Sequence, residues 1–435
     1  MTEATPVGTL LDLADEIADA LAETAIVAED RCTWMHGDVE ESEEGRRLVH
    51  RTGDPTVYQG DAGIAWALAH AGEALGRADL RELAQSGASG ALRRAGVRVG
   101  RGLHDGLSGV AIAAMQAGTA LADPALVEGG LGLLDEATAA PLASQDVIGG
   151  NAGALVALMA AYDETEDEWL LERGTMLGQA ILEEADGHPW GSSWASGRPG
   201  EPGLCGLAHG AGGIAWALGE LEARAGGAAL GEAVREALRY ERSWFDRRRS
   251  NWPDLRAGTG NASGRPAHAG GRPAFPTWWC HGAVGAGLVR LRLHGLGREE
   301  PILLAEAAAA LQSSVAAATG SIEAGRPPDH GLTICHGLGG TIELLLTAHS
   351  VLGEEEHLTA ARWLLDRVVA ILGDDVERWP DGLGGPGGDP SLMTGLSGTL
   401  ILLLRAAGEA PMPSVGLFPC RSGPGRLGPH WETSG

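Results

Sequence analysis

The chain has no lysine. All 32 of its cationic side chains are arginine, set against 58 carboxylates, for a formal net charge of −26 over 435 residues. That balance argues against a duplex nucleic acid partner, because phosphate binding needs a clustered basic face. The one dense basic run, Arg247-Arg248-Arg249, is expected to end a helix, where cations suit the dipole. Cysteine is scarce too: five, unevenly spaced, which excludes the disulfide framework of a small secreted scaffold. Long apolar runs are missing, none approaching the roughly 20 residues that cross a bilayer. The start, Met1-Thr2-Glu3-Ala4, lacks the basic and apolar stretches of a signal peptide. The resulting expectation is a reducing cytoplasm that leaves thiolates available.

Glycine, by contrast, is abundant at 68 residues, and much of it is ordered into a pattern. A helix is expected over residues 9–24, with Leu10, Leu13, Ile17 and Leu21 on one face, followed by a polar surface loop or short helix over 31–56. From Tyr58 a motif recurs: Gly, two residues, Gly, then an apolar run. Its copies are Gly60-Asp61-Ala62-Gly63, Gly106-Leu107-Ser108-Gly109, Gly150-Asn151-Ala152-Gly153, Gly210-Ala211-Gly212-Gly213, Gly282-Ala283-Val284-Gly285, Gly337-Leu338-Gly339-Gly340 and Gly395-Leu396-Ser397-Gly398. A spacing of roughly 45 to 70 residues marks a repeat architecture.

The runs after each motif are nearly free of charge, so they read as buried helices; the segments between them are amphipathic. Two concentric rings satisfy seven of each, and the expected fold is an all-α, α/α toroid. An open solenoid is the alternative, but it would need polar caps and would bare an inner helix at each end. In a closed ring every motif aims a helix N-terminus, with its partial positive charge, at one mouth. The expected organisation is an N-terminal helix and loop (1–53) belonging to the same domain, the seven-repeat toroid (54–417) and a tail (418–435). The irregular segment 250–277 reads as a lid or a plain surface excursion, and its Asn261-Ala262-Ser263 sequon carries no meaning in a cytoplasmic protein.

Two motif turns carry chemistry: Trp279-Cys280-His281-Gly282 and Ile334-Cys335-His336-Gly337. If they meet, Cys280, Cys335 and His336 give zinc two sulfurs and one nitrogen, with one position open as in catalytic sites. Either cysteine alone would read as a packing residue; two at one register do not. Cys32, Cys205 and Cys420 read as packing cysteines. His209, at the same register of the fourth repeat, is a candidate general acid or base. Asp146, before the third motif, either orients an imidazole or caps a helix.

The set Gly206-Leu207-Ala208-His209-Gly210, Trp279-Cys280-His281-Gly282, Cys335-His336-Gly337 and Leu392-Met393-Thr394-Gly395-Leu396-Ser397-Gly398 resembles the lanthionine synthetase C family, lanthipeptide cyclases, over about residues 54–417. The resemblance implies an α,α-toroid with one Zn²⁺ on Cys280, Cys335 and His336. It implies addition of a precursor-peptide cysteine thiol across dehydroalanine or dehydrobutyrine, closing a thioether ring. By the same resemblance His209 protonates the enolate with Asp146 assisting, and the expected partners are a dehydrated precursor peptide and a dehydratase or kinase/lyase enzyme. The chain departs from stand-alone cyclases in carrying His281, counted with the catalytic candidates, where they often have Tyr. It also lacks an arginine just before Cys280, Arg272 being the nearest. Protein prenyl transfer and glycoside hydrolysis are weaker alternatives, the first for want of aromatics and lysine, the second because it leaves the Cys-His trio unexplained. A scaffold, or an enzyme adding glutathione or another small thiol, is the competing reading within the family.

Overall fold

The computed structural model describes residues 7–420 except 30, 43–44, 97–98, 196–201, 257–272, 326–328, 384–386 and 409–410, with backbone alone at 7 and 38–48. Seven apolar helices form an inner ring: α2 (Asp61–Ala74), α4 (Leu107–Leu121), α6 (Asn151–Thr165), α8 (Ala211–Ala225), α10 (Ala283–Gly295), α12 (Leu338–Leu352) and α14 (Leu396–Ala407). Each packs against the next, and α14 packs against α2. Around them lie α3 (Ala78–Arg94), α5 (Pro124–Thr138), α7 (Glu168–Glu183), α9 (Ala228–Ser243), α11 (Pro301–Glu323) and α13 (Glu355–Leu372). Among the described residues no outer helix follows α14. Its partner is α1 (Val7–Glu23), which buries Leu10, Leu13, Ile17 and Leu21 and so supplies the seventh outer helix from the opposite end of the chain.

Backbone hydrogen bonds across the motif turns seal the ring. The Tyr58 amide donates to the His104 carbonyl (2.9 Å), His104 to Ile148 (3.0 Å), Val147 to Ala208 (3.1 Å) and Ala208 to Cys280 (3.3 Å). Trp279 then donates to Cys335 (3.0 Å), Cys335 to Met393 (3.0 Å) and Met393 back to Tyr58 (3.1 Å). The toroid is therefore closed. Glycine is required where these turns crowd: Gly206 has φ +107°, and a Cβ there would stand 2.7 Å from the Cys280 carbonyl oxygen.

Three features differ from the sequence reading. Residues 31–52 are not a loop or short helix. The strand β2 (Arg31–Thr33) pairs with β1 (Ile26–Ala28), and β3 (Met35–Ser42) pairs antiparallel with β4 (Gly45–Thr52). Their backbone register sets position 40 across from 47 and 41 across from 46. Arg247-Arg248-Arg249 lies beyond the end of α9, in a turn where Asp246 accepts the Arg248 and Arg249 amides at 2.8 and 3.1 Å. Finally, α11 is long and apolar enough by length and composition to span a bilayer. It instead packs on α10 and buries Glu306, whose Oε2 accepts from Arg290 Nε at 3.0 Å.

Below the mouth the ring is filled by residues 411–420, which the sequence places partly in a tail. Phe418 and Cys420 are buried, Trp279 Nε1 donates to the Gly416 carbonyl (2.8 Å) and Gln116 Nε2 to the Pro419 carbonyl (2.8 Å). Residues 421–435 lie outside those described.

Candidate functional site

Two positions of each repeat, the pair of residues before the motif glycine, stand at the mouth or directly behind it. Round the ring the first of each pair is Tyr58, His104, Ile148, Ala208, Cys280, Cys335 and Met393. The second is Gln59, Asp105, Gly149, His209, His281, His336 and Thr394. The fifth and sixth repeats are neighbours, so Cys280 and Cys335 come side by side.

The thiols of Cys280 and Cys335 and the ring of His336 offer donor atoms that all lie within 4.8 Å of one another. Cys335 Sγ is 3.6 Å from His336 Nε2, and His336 Nδ1 is buried with no hydrogen-bond partner among the described residues. Both thiols are buried and neither is in a disulfide. Contact with Cys335 holds the Cys280 thiol well below its usual range despite burial, while burial and then the Cys280 charge push Cys335 up. Two soft sulfurs and an imidazole nitrogen within 4.8 Å of one another fit a zinc-like cation.

In the adjacent fourth repeat, His209 Nδ1 is 2.8 Å from Asp146 Oδ2. The other oxygen of Asp146 accepts the Gly149 amide at 2.9 Å, so the residue both caps its own turn and orients an imidazole from the next repeat. His281 is fully buried, with Nδ1 3.1 Å from the Cys205 carbonyl oxygen and its ring 6.0 Å from that of His209. Burial pushes its pKa down.

A cavity of about 290 Å³ unites these groups: Cys280, Cys335, His336 and His209 line it, together with Tyr58, Gln59, Asp105 and Arg256. His281 and Asp146 do not, each standing behind or beside it. Burial, then the charge of Asp146, push Asp105 up. Behind Tyr58, burial drives His104 down to about 3; it stacks edge-on against Trp279 at 5.1 Å.

Tyr58, Asp105 and Arg256 were not counted among the candidate site residues from sequence. The first two share the register of the cysteines and His209, so aligning the seven turns would have found them. Arg256 has no such signal. It is clamped by Asp254, with Nε–Oδ1 at 2.9 Å and Nη2–Oδ2 at 2.6 Å, and the Asp254 amide donates to the Ala274 carbonyl at 2.8 Å. That bond returns a distant segment to the turn before Cys280. Arg272, the sequon 261–263 and the middle of the expected lid lie outside the described residues.

Residues 51–417 match the family model described as lanthionine synthetase C-like protein. Among solved structures the chain is similar to nisin cyclase, with a TM-score of 0.61 and 16% identity over 84% of this chain and 93% of that one. An alpha-mannanase from Bacteroides thetaiotaomicron gives 0.48 and 11% identity, over 92% of this chain and 95% of that one. A D-mannose isomerase gives 0.42 and 14% identity, over 71% and 86%. At these identities the likeness to nisin cyclase is one of fold. No curated protein matches the chain in sequence.

Proposed function

The chain belongs to the lanthionine synthetase C-like family, and from that premise we propose that it is a zinc-dependent peptide cyclase. Its reaction adds a cysteine thiol of a dehydrated precursor peptide across dehydroalanine or dehydrobutyrine to form a (methyl)lanthionine thioether. The observation that carries this reading is the meeting of the two thiols, His336 and His209 around one cavity, with Asp146 bonded to His209 from outside it. Zinc held by Cys280, Cys335 and His336 would supply the substrate thiol as a thiolate at neutral pH.

The protein's own groups account for the remaining step. Attack at the β-carbon leaves an enolate that needs a proton at the α-carbon. His209 is the donor, through Nε2, because Nδ1 is taken by Asp146. Asp146 fixes the tautomer and the ring plane. His281, whose ring lies beside that of His209, is a positioning residue in this scheme. The motif helices direct their N-termini toward the developing negative charge. Five unpaired, buried cysteines suit a reducing, cytoplasmic setting, and a dehydratase or kinase/lyase partner would supply the dehydrated peptide.

The test is zinc per chain in wild type and in Cys280→Ala, Cys335→Ala and His336→Ala, with thiol addition to a dehydroalanine peptide followed in parallel. One zinc per wild-type chain, lost together with activity in all three variants, is expected. A folded, zinc-free wild type would overturn the reading in favour of a scaffold.

A further inference from the structure

The cavity beside the thiols is not the only one at the mouth. A second, of about 540 Å³, opens between the third and fourth repeats. Neither Cys280, Cys335 nor His336 lines it. Two residues line both cavities, His209 and Arg256. They stand as the partition between a smaller chamber that holds the soft donors and a larger one that holds none. The walls of the larger chamber are built rather than accidental: Trp194 is buried and anchored by its Nε1 to the Ile181 carbonyl at 2.8 Å, and Asp146 is fixed as described. Its volume is in the range of ligand pockets, which run from roughly 300 to 1,000 Å³.

Thioether formation needs two partners that approach from opposite sides of the new bond. With the thiol confined to the smaller chamber, the alkene has to enter from the side where His209 can still reach its α-carbon. Only a cavity that shares His209 meets that condition. We propose that the larger chamber is the acceptor subsite, which receives the dehydroalanine- or dehydrobutyrine-bearing segment of the peptide with its backbone carbonyl toward the Arg256 guanidinium. This assignment rests on the cyclase reading above. The sulfur–β-carbon bond forms as the π pair of the alkene moves to the α-carbon, and the enolate charge is carried on the carbonyl oxygen beside Arg256. The α-carbon then takes the His209 Nε2 proton, the thiol's own proton having gone to solvent, from which His209 is recharged. Arg256 is held for this by its two bonds to Asp254, a geometry a lysine cannot copy.

Ala143 is exposed and lines only the larger chamber, while Ile148 lines only the smaller. The experiment uses the full zinc-loaded chain and two probes: a cysteine-free peptide with one dehydroalanine, and a cysteine peptide with no dehydro residue. Dissociation constants are measured by titration calorimetry. Ala143→Trp is expected to weaken the dehydroalanine peptide at least tenfold and to leave the cysteine peptide within twofold; Ile148→Phe should do the reverse. Ala195→Trp, on another wall of the larger chamber, repeats the first result should Ala143→Trp fold poorly. Equal weakening of both peptides, or no change for the dehydroalanine peptide in either tryptophan variant, overturns the subsite while leaving the cyclase standing. Thioether formation by wild type is followed alongside; its absence overturns the cyclase reading, and this assignment with it.

Discussion

His209 Nδ1 lies 2.8 Å from Asp146 Oδ2, a contact between side chains of two different repeats. Neither repeat holds the pair alone, so the proposed proton-transfer pair is a product of how the repeats are stacked. Replacing His209 by Ala should lower kcat by about 10²–10⁴-fold, the usual worth of a positioned acid or base. Asp146→Asn should cost less, since it keeps the shape and loses the carboxylate. Neither should change the zinc content, which metal analysis beside steady-state kinetics would check; zinc lost with His209→Ala would mean that the residue supports the metal instead.

Gly206→Ala is expected to destabilise the fold by about 1–3 kcal/mol, because φ +107° is unfavourable for alanine and its Cβ would press on the Cys280 carbonyl. Urea unfolding measures this. The same push falls on the backbone of a proposed ligand, so metal affinity should drop as well.

His104 gives a pH dependence with a definite sign. Burial holds its folded pKa at about 3, below the ordinary 6.5, so between those values the unfolded chain binds a proton that the folded chain refuses. Its contribution is intact above pH 6.5 and is lost as pH falls toward 3, at a limiting slope of about 1.4 kcal/mol per pH unit. His104→Phe should flatten that limb in denaturant melts between pH 4 and 6.5. An unchanged slope would show that other groups set it.

Glu220 is fully buried and bonded to Arg292 Nε at 2.6 Å and Arg224 Nη1 at 2.9 Å. Burial pushes its carboxyl up, but the two guanidinium groups outweigh that and hold it at about 2. Glu220→Gln removes the buried carboxylate that Arg292 and Arg224 share, Arg224 keeping its bond to Asp163 Oδ1 at 2.8 Å, and should cost about 3–5 kcal/mol. In wild type this contribution is present above pH 4.5 and fades as pH falls toward 2.

The parts legible in sequence were those that repeat. Seven Gly-x-x-Gly turns before charge-free runs gave the inner ring, and two Cys-His pairs at one register gave the donors that the fold brings within 4.8 Å. Asp146 was legible only as a choice between helix cap and orienting group; it does not cap α6, whose N-cap Gly150 has no side-chain partner, but closes its own turn and contacts the His209 ring. What escaped depended on long-range return of the chain. Arg256 reaches the cavity through the Asp254–Ala274 hydrogen bond, and α1 crosses from the N-terminus to cover α14; no local period encodes either. The β3–β4 hairpin escaped because a run of acids looks solvated until the partner strand's register is known.

The Met393 amide donating to the Tyr58 carbonyl has a bearing on how the protein is made. It joins the last repeat to the first, and α1, which precedes all seven repeats, packs on α14, in the last of them. A partly translated chain thus has a seam with two unsatisfied apolar flanks and a cavity missing part of its wall. Such contacts, distant in sequence, form late and slowly. Until the seventh repeat is made the inner ring stays open, so its closure is a single late event rather than a gradual gain.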